Sequence, residues 1–363
     1  MNLEFTDEQV ALQDTVRRFL AEKAPVSGHV RQLLDDPTGT TEHVWRGLAD
    51  LGAIGLLVPT DYGGAGMTMV EAGIVAEELG AALHPGPWLS SAVAATRALS
   101  RLGAGDAATK LFTGIADGTT IATVGFLSGT SVEAVDRDGD FLLSGELTAV
   151  SDAGAASVLL VVAGGALFAV HSSDSGVTAT PESCIDPTHK QFRVNLDGVI
   201  SQRLGAFTPD DVGAVVDDVL IARAADALGA ARAVMQLAVE YAKTRTQFGQ
   251  AIGSFQAVQH LCVDMYEAVE LSRSGVIHAL WAADHADPVE RHLTAVRAKA
   301  FSGRLATVGD TAIQVFGGIG YTWEHDAHLY LKRLLGWSAF LGSPDRYLTE
   351  LGAQLATAKG AVL

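Results

Sequence analysis

Cysteine is nearly absent. Cys184 and Cys262 are the only two in 363 residues, too few for a disulfide framework or a cysteine-built metal site. Cys262 falls inside a helical pattern and reads as a core residue. Long apolar runs are missing too. No stretch reaches the roughly 18 residues that a membrane-spanning helix needs, so no membrane span is expected. Basic charge is scarce: 25 Lys and Arg face 42 Asp and Glu, for a formal charge of −17. Nucleic acid, whose binding draws on a basic surface, is therefore not an expected partner. An anionic coenzyme, which needs only a local basic patch, stays open. The first residues, Met1-Asn2-Leu3-Glu4-Phe5-Thr6-Asp7-Glu8, lack the basic start and apolar run of a signal peptide. With few cysteines, this predicts a cytoplasmic protein. No internal repeat or low-complexity linker interrupts the chain.

What is present falls into three stretches. Residues 1–118 carry helical periodicity. Thr6 with Gln9 forms a capping box ahead of Leu12, Val16, Phe19 and Leu20. Further helices are expected at 42–51, 69–83, 90–102 and 107–115. The period turns extended over 119–206. Runs such as Val158-Leu159-Leu160-Val161-Val162 alternate with turn signals at Asp138-Gly139, Gly164-Gly165 and Asp197-Gly198. A small antiparallel sheet or barrel is expected there. Helical periodicity returns over 207–363 as long antiparallel helices, with breaks near Arg245, Asp287, Gln314 and Pro344. The expected class is α+β and multi-domain: an N-terminal helical domain, a middle antiparallel β domain and a C-terminal four-helix bundle.

Two turns in the last stretch carry chemistry. Tyr241-Ala242-Lys243-Thr244-Arg245-Thr246-Gln247-Phe248-Gly249 ends one helix, and Gln256 opens the next. An arginine held at a helix end beside an aromatic ring and a glycine suits a pyrophosphate. Gln314-Val315-Phe316-Gly317-Gly318-Ile319-Gly320-Tyr321 ends another helix in a glycine turn, which can offer N–H groups and an amide to a phosphate or sugar. With Pro59-Thr60-Asp61-Tyr62-Gly63-Gly64 upstream, these motifs resemble those of the acyl-CoA dehydrogenase flavoproteins in both order and spacing.

The resemblance implies FAD-dependent oxidation of an acyl-CoA thioester to a trans-2-enoyl-CoA, with an electron-transfer flavoprotein as acceptor. In that family a glutamate removes the α-proton and the β-hydrogen leaves as hydride to the flavin. The implied cofactor contacts are Arg245, Phe248, Gln256, Gln314, Gly317, Gly318, Ser343 and Ser151. In that family the turns that match those of Arg245 and Gln314 reach a neighbouring subunit's FAD, which implies a homotetramer or an α2β2 heterotetramer. The glutamate does not carry over: its usual place is Leu341 and its alternative place is Val219. Asp218 is a weak fallback that reads as part of a solvated acidic face near a helix start. The middle domain departs as well. Thr123-Val124-Gly125-Phe126-Leu127-Ser128-Gly129-Thr130-Ser131 lacks the family's acidic and proline residues, and Ala149 stands where a flavin-contacting tryptophan is expected. Ala339 and Gly336 hint at room for a bulky acyl chain. Two readings remain: a working dehydrogenase with an unusual or partner-supplied base, or a non-catalytic subunit that completes a partner's FAD site.

Overall fold

The computed structural model describes residues 4–102, 105–129, 131–137 and 140–360. The helix, sheet, helix order expected from the sequence is present. The N-terminal helices are α1 (Asp7–Lys23), α2 (Glu42–Asp50), α3 (Met69–Ala81), α4 (Thr96–Leu99) and α5 (Asp106–Ala116). The Thr6–Gln9 capping box closes the start of α1 in both directions. The helix expected over 90–102 is instead a π-helical stretch, Leu89–Ala95, running into α4. The Thr96 hydroxyl donates to the Ser91 carbonyl five residues back, at 3.1 Å, and the small residues between allow the widened turn.

Seven strands follow: β1 (Ala122–Val124), β2 (Glu133–Arg137), β3 (Asp140–Ser151), β4 (Val158–Ala163), β5 (Ala166–His171), β6 (Val177–Glu182) and β7 (Gln191–Ala206). Their order is β1-β4-β5-β7-β3-β2, with β6 also on β7. All pairs are antiparallel except β1–β4. The Asp138-Gly139 turn lies outside the described residues, but the strands flanking it pair Arg137 with Asp140. Asp197-Gly198 is not a hairpin. β7 runs through it, and the pair forms a bulge opposite Ser144, whose hydroxyl accepts from the Gly198 N–H at 3.1 Å. Burial along β7 falls on Phe192, Val194 and Leu196 before the bulge and on Val199 and Ser201 after it. The extra residue moves the core face from even to odd positions.

The helices resume with α6 (Pro209–Thr244), α7 (Gln256–His285), α8 (Pro288–Ser302), α9 (Ala306–Phe316), α10 (Ala327–Ala339) and α11 (Pro344–Gly360). A two-strand ribbon, β8 (Thr246–Gln247) and β9 (Gln250–Ala251), links α6 to α7. The sequence reads α8 and α9 as one helix, but a break at Gly303 divides them. A Cβ there would lie 2.6 Å from Pro344 Cγ, so glycine is what admits the proline.

By internal contacts the chain forms two compact units, one of Met1–His29, Gly73–His84 and Leu220–Leu363, the other of Val30–Ala72 and Pro85–Val219. In the first, α3 and α6 touch backbone to backbone. A Cβ at Gly229 would stand 1.8 Å from the Glu77 carbonyl oxygen, and one at Gly80 would stand 1.9 Å from that of Asp226. Gly229→Ala should therefore lower stability by about 1–3 kcal/mol, seen as a lower urea midpoint. Gly213→Ala, exposed on the same helix with nothing in its way, should be neutral or stabilising. Equal midpoints for the two variants would contradict the close crossing.

Candidate functional site

Arg245 follows the last turn of α6. Its N–H donates to the Tyr241 carbonyl at 2.8 Å, and its own carbonyl accepts from Ile252 N–H at 2.8 Å, so both sides of the turn are pinned while the side chain is exposed. Phe248 takes a left-handed backbone (φ 53°) at the ribbon tip and is 92% exposed. Its ring meets Phe255 edge-on at 6.1 Å. Gln256 follows directly, opening α7 with no side-chain cap on its first turn.

The glycine turn lies beside this one. The Tyr241 ring is 5.1 Å from Phe316, the residue before Gly317. Gly317 has φ +65°, and a Cβ at Gly317 or Gly318 would meet nothing within 4 Å. Gln314 is exposed. His325 shapes the turn: Nδ1 accepts from Ala327 N–H at 3.0 Å and the ring lies 4.3 Å from Phe316. Tyr321 and Trp323 are 71% and 63% exposed. The structure thus brings Arg245, Phe248, Gln256, Gln314, Gly317 and Gly318 to one open, aromatic-rich end of the first unit. Ser343 stands exposed on the separate turn between α10 and α11.

Ser151 belongs to the second unit, where it is buried at the end of β3. Two non-glycine residues in left-handed conformation bracket it, Ala149 (φ 52°) and Asp152 (φ 57°). The Thr123 hydroxyl, at the start of the departing loop, donates to the Ser151 carbonyl at 2.6 Å. Phe126 is buried with its ring 5.6 Å from Phe207, so apolar packing fills the centre of the loop expected to offer polar groups. Thr130 of that loop lies outside the described residues.

Neither expected base position can accept a proton. Val219 is buried, and Leu341 has φ 52°. The Leu341 carbonyl is held by Tyr347 Oη at 2.9 Å and Arg346 Nη1 at 3.2 Å. Asp218 is not part of a solvated acidic face: it is fully buried, and Asp217 is nearly so. Its carboxylate accepts from Arg97 Nε at 2.8 Å and Nη2 at 3.4 Å, with Arg101 at 3.9 Å. The partners lie more than a hundred residues away in sequence, so spacing alone could not show them.

Sequence reasoning also passed over Lys299 and Arg333, both fully buried on helices of the first unit. The available signal was a lone cation on an apolar stripe, with Lys299 beside Ala295, Val296 and Ala298. Among the described residues no group of three or more His, Cys, Asp or Glu is placed to hold a metal, and no helix is long and apolar enough to cross a membrane.

The chain thus has helical segments at both ends, a sheet between them and paired turns in its C-terminal helices. Family models agree: residues 6–119 match the acyl-CoA dehydrogenase N-terminal domain and residues 221–355 the acyl-CoA dehydrogenase C-terminal domain. The chain belongs to the acyl-CoA dehydrogenase family. It is 32% identical to acyl-CoA dehydrogenase IpdE2 of Mycobacterium tuberculosis, over 96% of this chain and 98% of that protein. Among solved structures it is similar to a chain of the ChsE4–ChsE5 complex of Mycobacterium tuberculosis (27% identity, TM-score 0.88, 98% and 99% of the two chains covered). A variant of the Tcur3481–Tcur3483 steroid ACAD matches equally well (26% identity, TM-score 0.88, 98% and 99% covered).

FAD-dependent dehydrogenation is the general activity of this family. The residues present fit FAD in part. The pinned turn at Arg245, the open glycine turn and the uncapped start of α7 suit an anionic pyrophosphate. The Thr123–Gly129 loop fits the polar edge of a flavin ring less well: Phe126 is buried and the Thr123 hydroxyl is bonded to Ser151, which leaves Ser128 as its exposed hydroxyl.

Proposed function

We propose that this chain is a subunit of an FAD-dependent acyl-CoA dehydrogenase assembly, and that its part is to complete the flavin site of a related partner subunit, not to supply the base. The observation that carries this is the contrast between two sets of residues. Leu341 and Val219 stand at the positions where the resemblance expects the base, and Asp218 is clamped by Arg97, while Arg245 and Gln314 stand open at the surface. An inert base with an intact cofactor-facing turn is what a partner subunit retains. The exposed Phe248, Tyr321 and Trp323 beside that turn favour burial against another subunit. Likeness to chains of a two-protein complex and of a steroid ACAD supports a mixed oligomer acting on a bulky acyl-CoA.

In such an assembly FAD supplies the acceptor for the substrate's β-hydride. This chain's Arg245 would neutralise the pyrophosphate, Gln314 and the glycine-turn N–H groups would orient it, and Phe248 would help exclude water. The partner's carboxylate would take the α-proton, giving the trans-2-enoyl-CoA, and an electron-transfer flavoprotein would be the acceptor. The test is colour. The chain purified alone should be colourless and unchanged by acyl-CoA. Co-purified with a catalytic partner, it should give one flavin for each pair of chains, bleaching on addition of substrate. A yellow single chain that bleaches with acyl-CoA would overturn the partner role.

A further inference from the structure

Lys299 lies one turn from the end of α8 and is fully buried. Its amine donates to two backbone carbonyls, Trp337 O and Ser338 O (3.2 Å), in the last turn of α10, and it sits 3.9 Å above the Trp337 ring. A cation at this point satisfies helix-end carbonyls and opposes the negative end of the helix dipole. The chain leaves α10 immediately beyond, through Phe340, Leu341 (φ 52°), Gly342 (φ 117°) and Ser343. That turn carries both Leu341, where the resemblance expects the base, and Ser343, which it implies as a cofactor contact.

The charges around Lys299 do not balance it. The one bearing on its amine is a second cation, Arg223 of α6, whose guanidinium lies 4.6 Å over the Phe340 ring. Arg297 of the same helix is turned to Glu290, His292 pairs with Glu350 of α11, Arg304 reaches toward Asp345, and Arg273 of α7 is held by Glu77. Among the described residues the amine's partners are neutral carbonyls and an indole ring, with no carboxylate.

We infer that Lys299 is a positioning residue that sets the Phe340–Ser343 turn by capping α10, and that the setting changes with the charge on its amine. This rests on the proposed function only in treating that turn as part of the flavin-facing surface. Burial, and then the nearby Arg223, push the amine down to about 7. Below that pH it is a cation with three donors and a cation–π contact. Above it, one donor and the charge are gone, and the hold on α10 weakens.

The sign for overall stability is separate. The folded-state value lies below the ordinary lysine value, so between the two the unfolded chain binds more protons. Stability therefore rises with pH from about 7 toward 10.5.

The test uses Trp337 as reporter on the chain alone. The emission of the protein minus that of Trp337→Phe should titrate with a midpoint of about 7. Lys299→Met, close in length and neutral at any pH, should give a difference signal independent of pH. In the flavin-loaded assembly Lys299→Met should weaken flavin retention by about 2- to 10-fold, the loss of one helix-end hydrogen bond to the supporting cation. A flat difference signal, or the same titration in Lys299→Met, would overturn the proposal. So would a titrating signal with flavin retention unchanged. If Lys299→Met does not fold, the Trp337 difference titration still decides. If even the unmutated assembly held no flavin, the cofactor reading would fail while a midpoint of about 7 still supported the cap.

Discussion

Replacing Arg333 with leucine should lower the unfolding free energy by about 3–5 kcal/mol, the largest single loss expected in the chain. Arg333 is buried on α10, and its Nη1 donates to both oxygens of Asp226 at 3.0 and 2.8 Å. Its Nη2 donates to the His84 carbonyl at 3.0 Å. Removing it strands a carboxylate and a carbonyl away from water. The Arg333→Leu, Asp226→Leu double variant removes both charges and should recover much of the loss, since an apolar pair of similar volume is tolerated where a lone charge is not. Urea denaturation of the two singles and the double measures this. A single-variant loss under about 1 kcal/mol, or strictly additive losses, would show that the pair is not the anchor the geometry makes it.

Arg245→Ala should weaken FAD retention in the assembly by roughly one to two powers of ten. A charge-assisted, bidentate contact to pyrophosphate is worth about 1.5–3 kcal/mol. The fold should be untouched, because the side chain is exposed and its backbone contacts do not depend on it. Lysine keeps the charge without the planar fork and should rescue only in part. If this chain serves a partner's flavin, the loss appears on the partner's cofactor, read as flavin per complex with an unchanged melting temperature. Full flavin content in Arg245→Ala assemblies would remove Arg245 from the site.

Local signals carried the fold. The Thr6–Gln9 box, the period change at residue 119 and the breaks at Arg245, Gln314 and Pro344 are all short-range features, and all stand in the structure. Distance defeated the reading elsewhere. Asp197-Gly198 has hairpin composition, yet whether it turns or bulges depends on β3 some fifty residues earlier. β6 went unread because Thr178, Thr180 and the edge-tolerated Pro181 leave it mostly exposed with no alternating apolar face. Asp218 looked solvated because Arg97 and Arg101 lie on another helix and its outlet. At the candidate site the turns were legible as motifs, since backbone geometry is written locally. Phe126 filling its loop and Lys299 capping α10 were not, because packing partners are set by the tertiary structure.

The bulge in β7 has a consequence for how the chain tolerates change. Residues 191–196 carry β6, residues 202–206 carry β5, and β3 runs along both sides of the joint. A one-residue insertion in an unbroken strand would exchange its inward and outward faces along the whole length beyond it. At this joint the strand already holds a phase change, at two exposed positions with φ +63° at Gly198. The joint acts as a slip coupling: each half of the sheet keeps its own register, and length variation between them can be absorbed at Asp197-Gly198 without reaching either core face.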